Sequence, residues 1–230
     1  MSSILLLHGA IGSKDQFTSL KNELEILGHL VYSFNFAGHG DSPLPETPFT
    51  IENFKKELLQ FVQLHELENC IVFGYSMGAY IALYTAIEYP ALFSKIVTLG
   101  TKLDWSPEIA AHEIKNLNPQ KIKEKVPAFT EKLEKTHGLT WTQLLEQTAD
   151  FMVQLGKDTP LNNETLTQIS TPIVLGLADH DAMVTLDETR NAFKQLPNAS
   201  MFMIPNAKHP IETVDCNLLA KIICNLISQP

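Results

Sequence analysis

The sequence predicts an α/β fold: a doubly wound, mostly parallel sheet of about six strands with a helical cap insertion. Three observations lead to this prediction. Short apolar runs of strand length recur along the chain, amphipathic helical patterns separate them, and residues 101–170 contain no convincing strand. Strands that alternate with helices favour a parallel sheet, because each helix carries the chain back to the start of the next strand.

The strand-like runs lie at residues 4–7, 30–36, 70–73, 95–99, 173–177 and 200–204. Several of them are apolar at consecutive positions. This pattern is typical of parallel strands that are covered by helices on both faces of the sheet.

Helical patterns lie between the runs. Ser13 and Gln16 have the spacing of a capping box, and so do Thr185 and Glu188. The last pattern places Val214 and three further apolar residues on one side. We therefore expect helices to begin just after Ser13 and Thr185 and a final helix to pack on the sheet.

Residues 101–170 are punctuated by proline and glycine and predict three or four short helices. This stretch is too long for a simple connection between two strands. We interpret it as a helical cap inserted into one core domain, which is formed by residues 1–100 and 171–230.

Composition excludes several classes of function. The net charge of −9 repels nucleic-acid phosphates and does not favour an anionic membrane surface. Three cysteines without close spacing predict neither a disulfide framework nor a zinc site. No signal-peptide pattern or membrane-spanning stretch is visible, so we expect a cytoplasmic protein, either a monomer or a homodimer.

The strongest chemical signal is Gly74-Tyr75-Ser76-Met77-Gly78, between an apolar run and an alanine-bearing helical pattern. A sharp turn from strand to helix crowds the neighbours of its central residue, so both flanks need glycine. The turn exposes the central hydroxyl above the sheet. Ser76 is therefore the predicted nucleophile.

A second glycine-rich turn, His8 to Ser13, follows the first strand-like run. Its glycines allow the chain to pass close to a bound carbonyl. The predicted oxyanion hole consists of the backbone amides of Ala10 and of Met77, the residue after the nucleophile.

With these motifs the sequence resembles the α/β-hydrolase superfamily, and within it the small esterase-like serine hydrolases with a helical cap. The resemblance covers nearly the whole chain, because five segments occur in the family's order: His8-Gly9, Gly38-His39-Gly40-Asp41-Ser42, Gly74 to Gly78, an aspartate loop and His209. It implies a catalytic order of serine, aspartate and histidine, with His209 as the base and the cap inserted before the strand of the acid.

Two aspartates, Asp179 and Asp181, compete for the role of the acid. Pro172 and Val184 flank Asp181 at the distances that the family pattern gives, so Asp181 ranks first. Ala178 stands where the family usually has glycine, and Asp179 therefore remains an alternative.

The predicted function is hydrolysis of a small ester, thioester or lactone through an acyl-enzyme on Ser76. No cofactor or metal is expected, and the predicted partner is a small-molecule substrate. Tyr75, Trp105, Phe129 and Met183 are candidate substrate contacts, although aromatic residues at helical spacing are also typical of the core of a cap.

Two other functions stay open. One is a lyase of the menaquinone-synthase type, which the resemblance connects with the same triad and with cationic cap residues that bind a carboxylate. The other is a ligand sensor that turns over slowly, since a shared fold does not fix a function.

Overall fold

A computed structural model describes residues 1–228. In this part of the chain six strands form one all-parallel sheet in the order β2-β1-β3-β4-β5-β6. Their bounds are β1 Ser3–Leu7, β2 Leu30–Ser33, β3 Cys70–Tyr75, β4 Phe93–Leu99, β5 Ile173–His180 and β6 Ala199–Lys208. The order reverses between β1 and β3, and in parallel sheets the carboxyl ends of strands at such a switch point commonly form a binding crevice.

Helices connect the strands and cover the sheet. Within residues 1–228 they are α1 Thr18–Ile26, α2 Ile51–Leu64, α3 Met77–Glu88, α4 Pro107–Glu113, α5 Pro119–Lys125, α6 Pro127–His137, α7 Trp141–Lys157, α8 Asn163–Leu166, α9 Leu186–Gln195 and α10 Cys216–Ile227. The doubly wound, parallel α/β class predicted from the sequence is confirmed.

Side chains along one strand alternate between two cores, as the pleat of a strand requires. In β1, Ile4 and Leu6 pack with α1 and α10, whereas Leu5 and Leu7 pack with α2, α3 and α9. All four of these side chains are fully buried. Burial on both faces of the sheet explains why residues 4–7 form a continuous apolar run in the sequence.

Helices α4 to α8 lie between β4 and β5, in the stretch that we interpret as a cap. This segment has a small apolar core of its own, which includes Leu133, Trp141 and Leu145. The other side of α7 contributes Leu144 and Phe151 to the main core of the sheet. The segment is therefore packed firmly onto the carboxyl edge of the sheet.

Three local predictions need correction. Ser13 caps a short 3₁₀ turn by accepting from the amide of Asp15, so no reciprocal pair with Gln16 forms and α1 begins only at Thr18. The second strand ends at Ser33 rather than residue 36. Val214 is buried but precedes the last helix, which Asp215 caps. The capping box of Thr185 and Glu188 is confirmed.

None of the helices in residues 1–228 has both the length and the apolar character needed to cross a bilayer. The same residues contain no cluster of three or more histidine, cysteine or acidic side chains suited to a metal ion.

Candidate active site

Ser76 occupies a sharp turn between β3 and α3. Its backbone has φ 51° and ψ −116°, in the left-handed half of conformational space that residues with a side chain rarely adopt. Its amide donates to the carbonyl of Leu99 at 2.9 Å, which ties the turn to the end of β4. The Ser76 hydroxyl does not cap α3, although Ser76 occupies the N-cap position. The hydroxyl is therefore available for chemistry.

The glycines on either side of Ser76 are required by close backbone contacts. A Cβ atom on Gly74 would lie 2.4 Å from Cα of Ala79, and one on Gly78 would lie 2.3 Å from the carbonyl oxygen of Leu7. Both distances are far below van der Waals contact. The tight packing of α3 against β1 and β3 thus explains the glycine-serine-glycine pattern that the sequence shows.

We expect Gly78→Ala to lower the free energy of unfolding by about 1–3 kcal/mol, because the colliding atoms belong to the backbone of β1 and cannot rotate away. Urea denaturation measures this change. Gly12→Ala is the matched control, since the three atoms nearest to its added methyl group all belong to the flexible side chain of Gln16. Equal losses for the two variants would contradict this explanation of Gly78.

Asp181 and His209 form a hydrogen-bonded pair at the carboxyl edge of the sheet. Nδ1 of His209 lies 2.9 Å from Oδ2 and 3.1 Å from Oδ1 of Asp181. Oδ1 also accepts from the amides of Met183 and Val184, each at 2.8 Å. The side chain of Asp181 is 1% exposed and that of His209 is 11% exposed. The carboxylate is therefore held rigidly and shielded from water.

Hydrogen bonds keep Asp181 ionised in spite of its burial. Burial acts to raise the pKa of this carboxyl group, but the hydrogen bond and charge of His209 and the two loop amides outweigh it. The net result is a pKa below the ordinary value. An ionised acceptor at this position fixes the Nδ1–H tautomer of His209, which leaves Nε2 as the proton acceptor of the ring.

Asp179, the alternative acid, makes different contacts. Its carboxylate accepts from the amides of Asn206 and Ala207 at 2.9 and 3.1 Å. These amides lie near the end of β6, just before His209, so Asp179 braces the segment that carries the histidine. Tyr75 braces the same segment from below by donating from its hydroxyl to the carbonyl oxygen of His209 at 3.0 Å.

Ser76 and His209 line one cavity of about 40 Å3. Both residues of the predicted oxyanion hole, Ala10 and Met77, line it as well. The rest of its wall is mostly apolar and consists of Tyr80, Lys102, Trp105, Phe151, Met152, Leu155 and Met183. One small cavity thus brings together the predicted nucleophile, base and oxyanion donors.

Two of the four candidate substrate contacts lie elsewhere. Tyr75 is buried beneath His209, and its ring packs in the core on the α1 and α10 side of the sheet. Phe129 packs against the separate small core of the insertion. Trp105 and Met183, by contrast, are in the cavity wall.

A model of the α/β hydrolase fold family matches residues 3–131, which is more than half of the chain. The chain belongs to the α/β-hydrolase fold family. Ethanol acetyltransferase 1 of Hanseniaspora uvarum is 31% identical to it over 110 residues, which cover 46% of this chain and 32% of that protein. The sn-1-specific diacylglycerol lipase ABHD11 of Danio rerio is 32% identical over 129 residues, which cover 54% of this chain and 39% of the lipase. The matched part is thus well under half the length of either relative.

Solved structures of α/β hydrolases share the fold over almost the whole chain. The enol-lactonase from Burkholderia xenovorans LB400 has a TM-score of 0.81 at 15% identity, with 99% of this chain and 92% of the lactonase covered. A thermophilic esterase from Thermogutta terrifontis has a TM-score of 0.79 at 18% identity, with coverage of 99% and 90%. At these identities the likeness concerns the fold alone.

Lys102 brings a positive charge to the cavity wall of this α/β hydrolase, but that charge is compensated. Its ammonium donates to the carbonyl of Met183 at 2.8 Å and lies 3.5 Å from Glu113 and 3.7 Å from Glu188. All three charged side chains are at least 87% buried. Two carboxylates facing one ammonium give this part of the wall a net negative charge, which disfavours an anionic substrate group.

Gly100 lies against the Asp181–His209 pair, and the sequence motifs did not reveal it. It has φ +62°, and a Cβ atom there would lie 3.2 Å from Oδ2 of Asp181 and 3.3 Å from the His209 ring. The absence of a side chain lets the acid and the histidine approach the end of β4. Its position directly after a predicted strand was the available signal.

Three buried histidines brace the loops around the cavity. Nε2 of His8 accepts from the amide of Phe36 at 3.1 Å, and its Nδ1 donates to the carbonyl of Gly9 at 2.8 Å. The His39 ring lies 4.9 Å from that of His8 and 6.2 Å from that of His137. His137, on α6, links two loops. It accepts from the amide of residue 40 at 2.9 Å and donates to the carbonyl of residue 11 at 3.0 Å.

Burial lowers the pKa of all three histidines. The pKa of His8 falls to about 4, chiefly because of burial and further because of the neighbouring His137. Burial and the neighbouring His8 hold the pKa of His39 well below 6.5, and burial lowers that of His137. These rings are therefore neutral structural groups at neutral pH.

Proposed function

We propose that this α/β hydrolase is a serine hydrolase that cleaves small, uncharged esters, thioesters or lactones through an acyl-enzyme on Ser76. The observation that carries the proposal is the single cavity that joins Ser76, the His209–Asp181 pair and the two candidate oxyanion residues. These are the groups that acyl transfer by a serine nucleophile requires.

The proposed mechanism follows from the hydrogen bonds. Because Nδ1 of His209 is engaged by Asp181, Nε2 takes the proton of the Ser76 hydroxyl as the oxygen attacks the carbonyl carbon. Ala10 and Met77 supply backbone amides to the oxyanion. His209 then protonates the leaving alcohol or thiol. It next removes a proton from a water molecule whose oxygen attacks the acyl carbon. The bond between Oγ of Ser76 and the acyl carbon then breaks, His209 returns the proton to Oγ, and the acid is released.

The size of the cavity supports a short acyl group. A cavity of about 40 Å3 holds roughly three water molecules, which corresponds to an acyl chain of about two to four carbons. Its apolar wall, with Phe151, Met152 and Leu155, suits an alkyl chain rather than a polar one. The compensated charge of Lys102 favours an uncharged substrate over the carboxylated substrate that the lyase alternative needs.

Hydrolysis of p-nitrophenyl acetate and labelling by a fluorophosphonate test the proposal. We expect the wild type to hydrolyse the ester and to become labelled, and Ser76→Ala to do neither, because the variant lacks the proposed nucleophilic oxygen of this cavity. Ser94→Ala is the control, since Ser94 donates to the carbonyl of Cys70 at the far end of the sheet. An unlabelled, inactive but folded wild type would favour the sensor instead.

Acyl transfer to an alcohol is a second candidate. The match to an ethanol acetyltransferase favours it, as does a cavity sized for a short acyl group. In the presence of ethanol we then expect ethyl butyrate to form from p-nitrophenyl butyrate, which gas chromatography detects. Accumulation of butyric acid alone would leave water as the acceptor.

A further inference from the structure

A second, larger cleft adjoins the catalytic cavity. Its volume is about 620 Å3, and it lies between the end of the helical insertion and α9. Trp105 lines both this cleft and the catalytic cavity. The two spaces are therefore neighbours that share a wall.

The shared wall is held in place by hydrogen bonds. Nε1 of Trp105 donates to the carbonyl of Lys102 at 3.2 Å, and the hydroxyl of Thr159 donates to the carbonyl of Trp105 at 3.3 Å. The indole is half-buried and packs against the main core. It therefore forms a fixed partition between the two spaces.

A second contact joins a residue of the cavity wall to a residue of the cleft wall. Tyr80 lines the catalytic cavity and Leu161 lines the cleft, and the amide of Leu161 lies 3.3 Å from the Tyr80 hydroxyl, to which it donates. Beyond the partition, four cleft residues are apolar and buried: Leu103, Leu161, Leu166 and Ala192. These four residues form the apolar floor of the cleft. Apart from Trp105, the rest of its lining is polar or charged and consists of Asp104, Thr159, Asn162, Asn163, Glu188, Asn191, Lys194 and Gln195.

We propose that Trp105 sets the chain length of the substrate by closing the catalytic cavity off from this cleft. The proposal rests on the serine-hydrolase function proposed above. Removal of the indole joins the two spaces, so that an alkyl chain too long for the cavity extends over the apolar floor of the cleft. The substrate class of the variant shifts from short to medium-chain acyl esters.

The test compares kcat/KM for p-nitrophenyl acetate, butyrate and octanoate. In the wild type we expect kcat/KM to fall steeply with chain length. In Trp105→Ala the ratio for octanoate over acetate rises by at least about tenfold, since even one methylene group in an apolar pocket changes kcat/KM by about that factor. Met152→Ala is the matched control, because Met152 lines only the catalytic cavity. It shifts the preference towards butyrate and not towards octanoate.

An octanoate-to-acetate ratio in Trp105→Ala within twofold of the wild-type ratio would overturn the proposal, and so would an equal rise in Met152→Ala. If Trp105→Ala does not fold, as judged by circular dichroism, Trp105→Leu replaces it in the same comparison.

A binding measurement separates this proposal from the proposed chemistry. In a Ser76→Ala background, calorimetric titration with octanamide is expected to show at least about tenfold tighter binding when Trp105→Ala is added. Unchanged affinity overturns the role of Trp105, whatever the enzyme hydrolyses. Tighter binding together with an inactive wild type leaves the role of Trp105 intact and overturns the hydrolase function.

Discussion

Asp181→Asn is expected to lower kcat for p-nitrophenyl acetate by about 10⁴-fold, the effect that this change has in a serine protease with the same constellation. The amides of Met183 and Val184 hold Oδ1, so the amide oxygen of an asparagine takes that position and its NH₂ group faces His209. Nδ1 of the ring must then accept a hydrogen bond. The proton moves to Nε2, and the base can no longer take the proton of Ser76.

Asp179→Asn is the control for this prediction. Its carboxylate accepts from two backbone amides before His209 and lies 3.9 Å from the ring of His180, and an asparagine oxygen retains one of the two acceptor contacts. We expect a loss of kcat within about tenfold, from a less well-placed histidine. Circular dichroism and steady-state kinetics of both variants decide the question. A larger loss in Asp179→Asn than in Asp181→Asn would assign the acid to Asp179.

Patterns that depend on neighbouring residues explain what the sequence predicted of the fold. Each strand of the sheet lies at one of the six apolar runs. In the central strands β1, β3, β4 and β5, burial on both faces demands apolar residues at most positions. The turn at Ser76 was recognisable because both of its glycines are required within five residues. The helix start at Thr185 was recognisable for the same reason, since its capping box spans four residues.

Features that depend on distant contacts were not predictable in the same way. Gly100 is small because Asp181 and His209, which follow much later in the chain, approach it. Asp179 and Asp181 lie two residues apart, and only their distant partners distinguish them: His209 and the loop amides for Asp181, and the amides at the end of β6 for Asp179. The sequence also did not predict which side of the insertion faces the cavity. Trp105 faces the cavity and Phe129 does not, and tertiary packing alone separates them.

Acidification from pH 6.5 to pH 5 is expected to destabilise the protein through the buried histidines. In the unfolded chain a histidine takes up its proton near pH 6.5, whereas folded His8 does so only near pH 4. Between these values the unfolded state binds more protons than the folded state. The contribution of His8 to the free energy of unfolding is therefore complete above pH 6.5 and is lost as the pH falls. For His8 alone the complete loss corresponds to about 3 kcal/mol.

The variant His39→Phe tests how much one of these histidines contributes to the pH dependence of the stability. The pKa of His39 lies well below 6.5 because the ring is fully buried, so its replacement by a ring that does not titrate removes one source of the pH dependence. The slope of the unfolding free energy against pH is expected to decrease by up to about 1.4 kcal/mol per pH unit. Urea denaturation of the wild type and the variant between pH 7 and pH 5 measures the two slopes.

Phe49→Leu is the matched control for His39→Phe. Phe49 stacks on the His39 ring, with centroids 5.6 Å apart and planes 19° apart, but it carries no proton. Its truncation is expected to lower the stability by a similar amount at every pH and to leave the slope unchanged. Because carboxylates contribute alike in all three proteins, the difference in slope belongs to His39. If His39→Phe retains the wild-type slope, the acid sensitivity does not arise from this histidine.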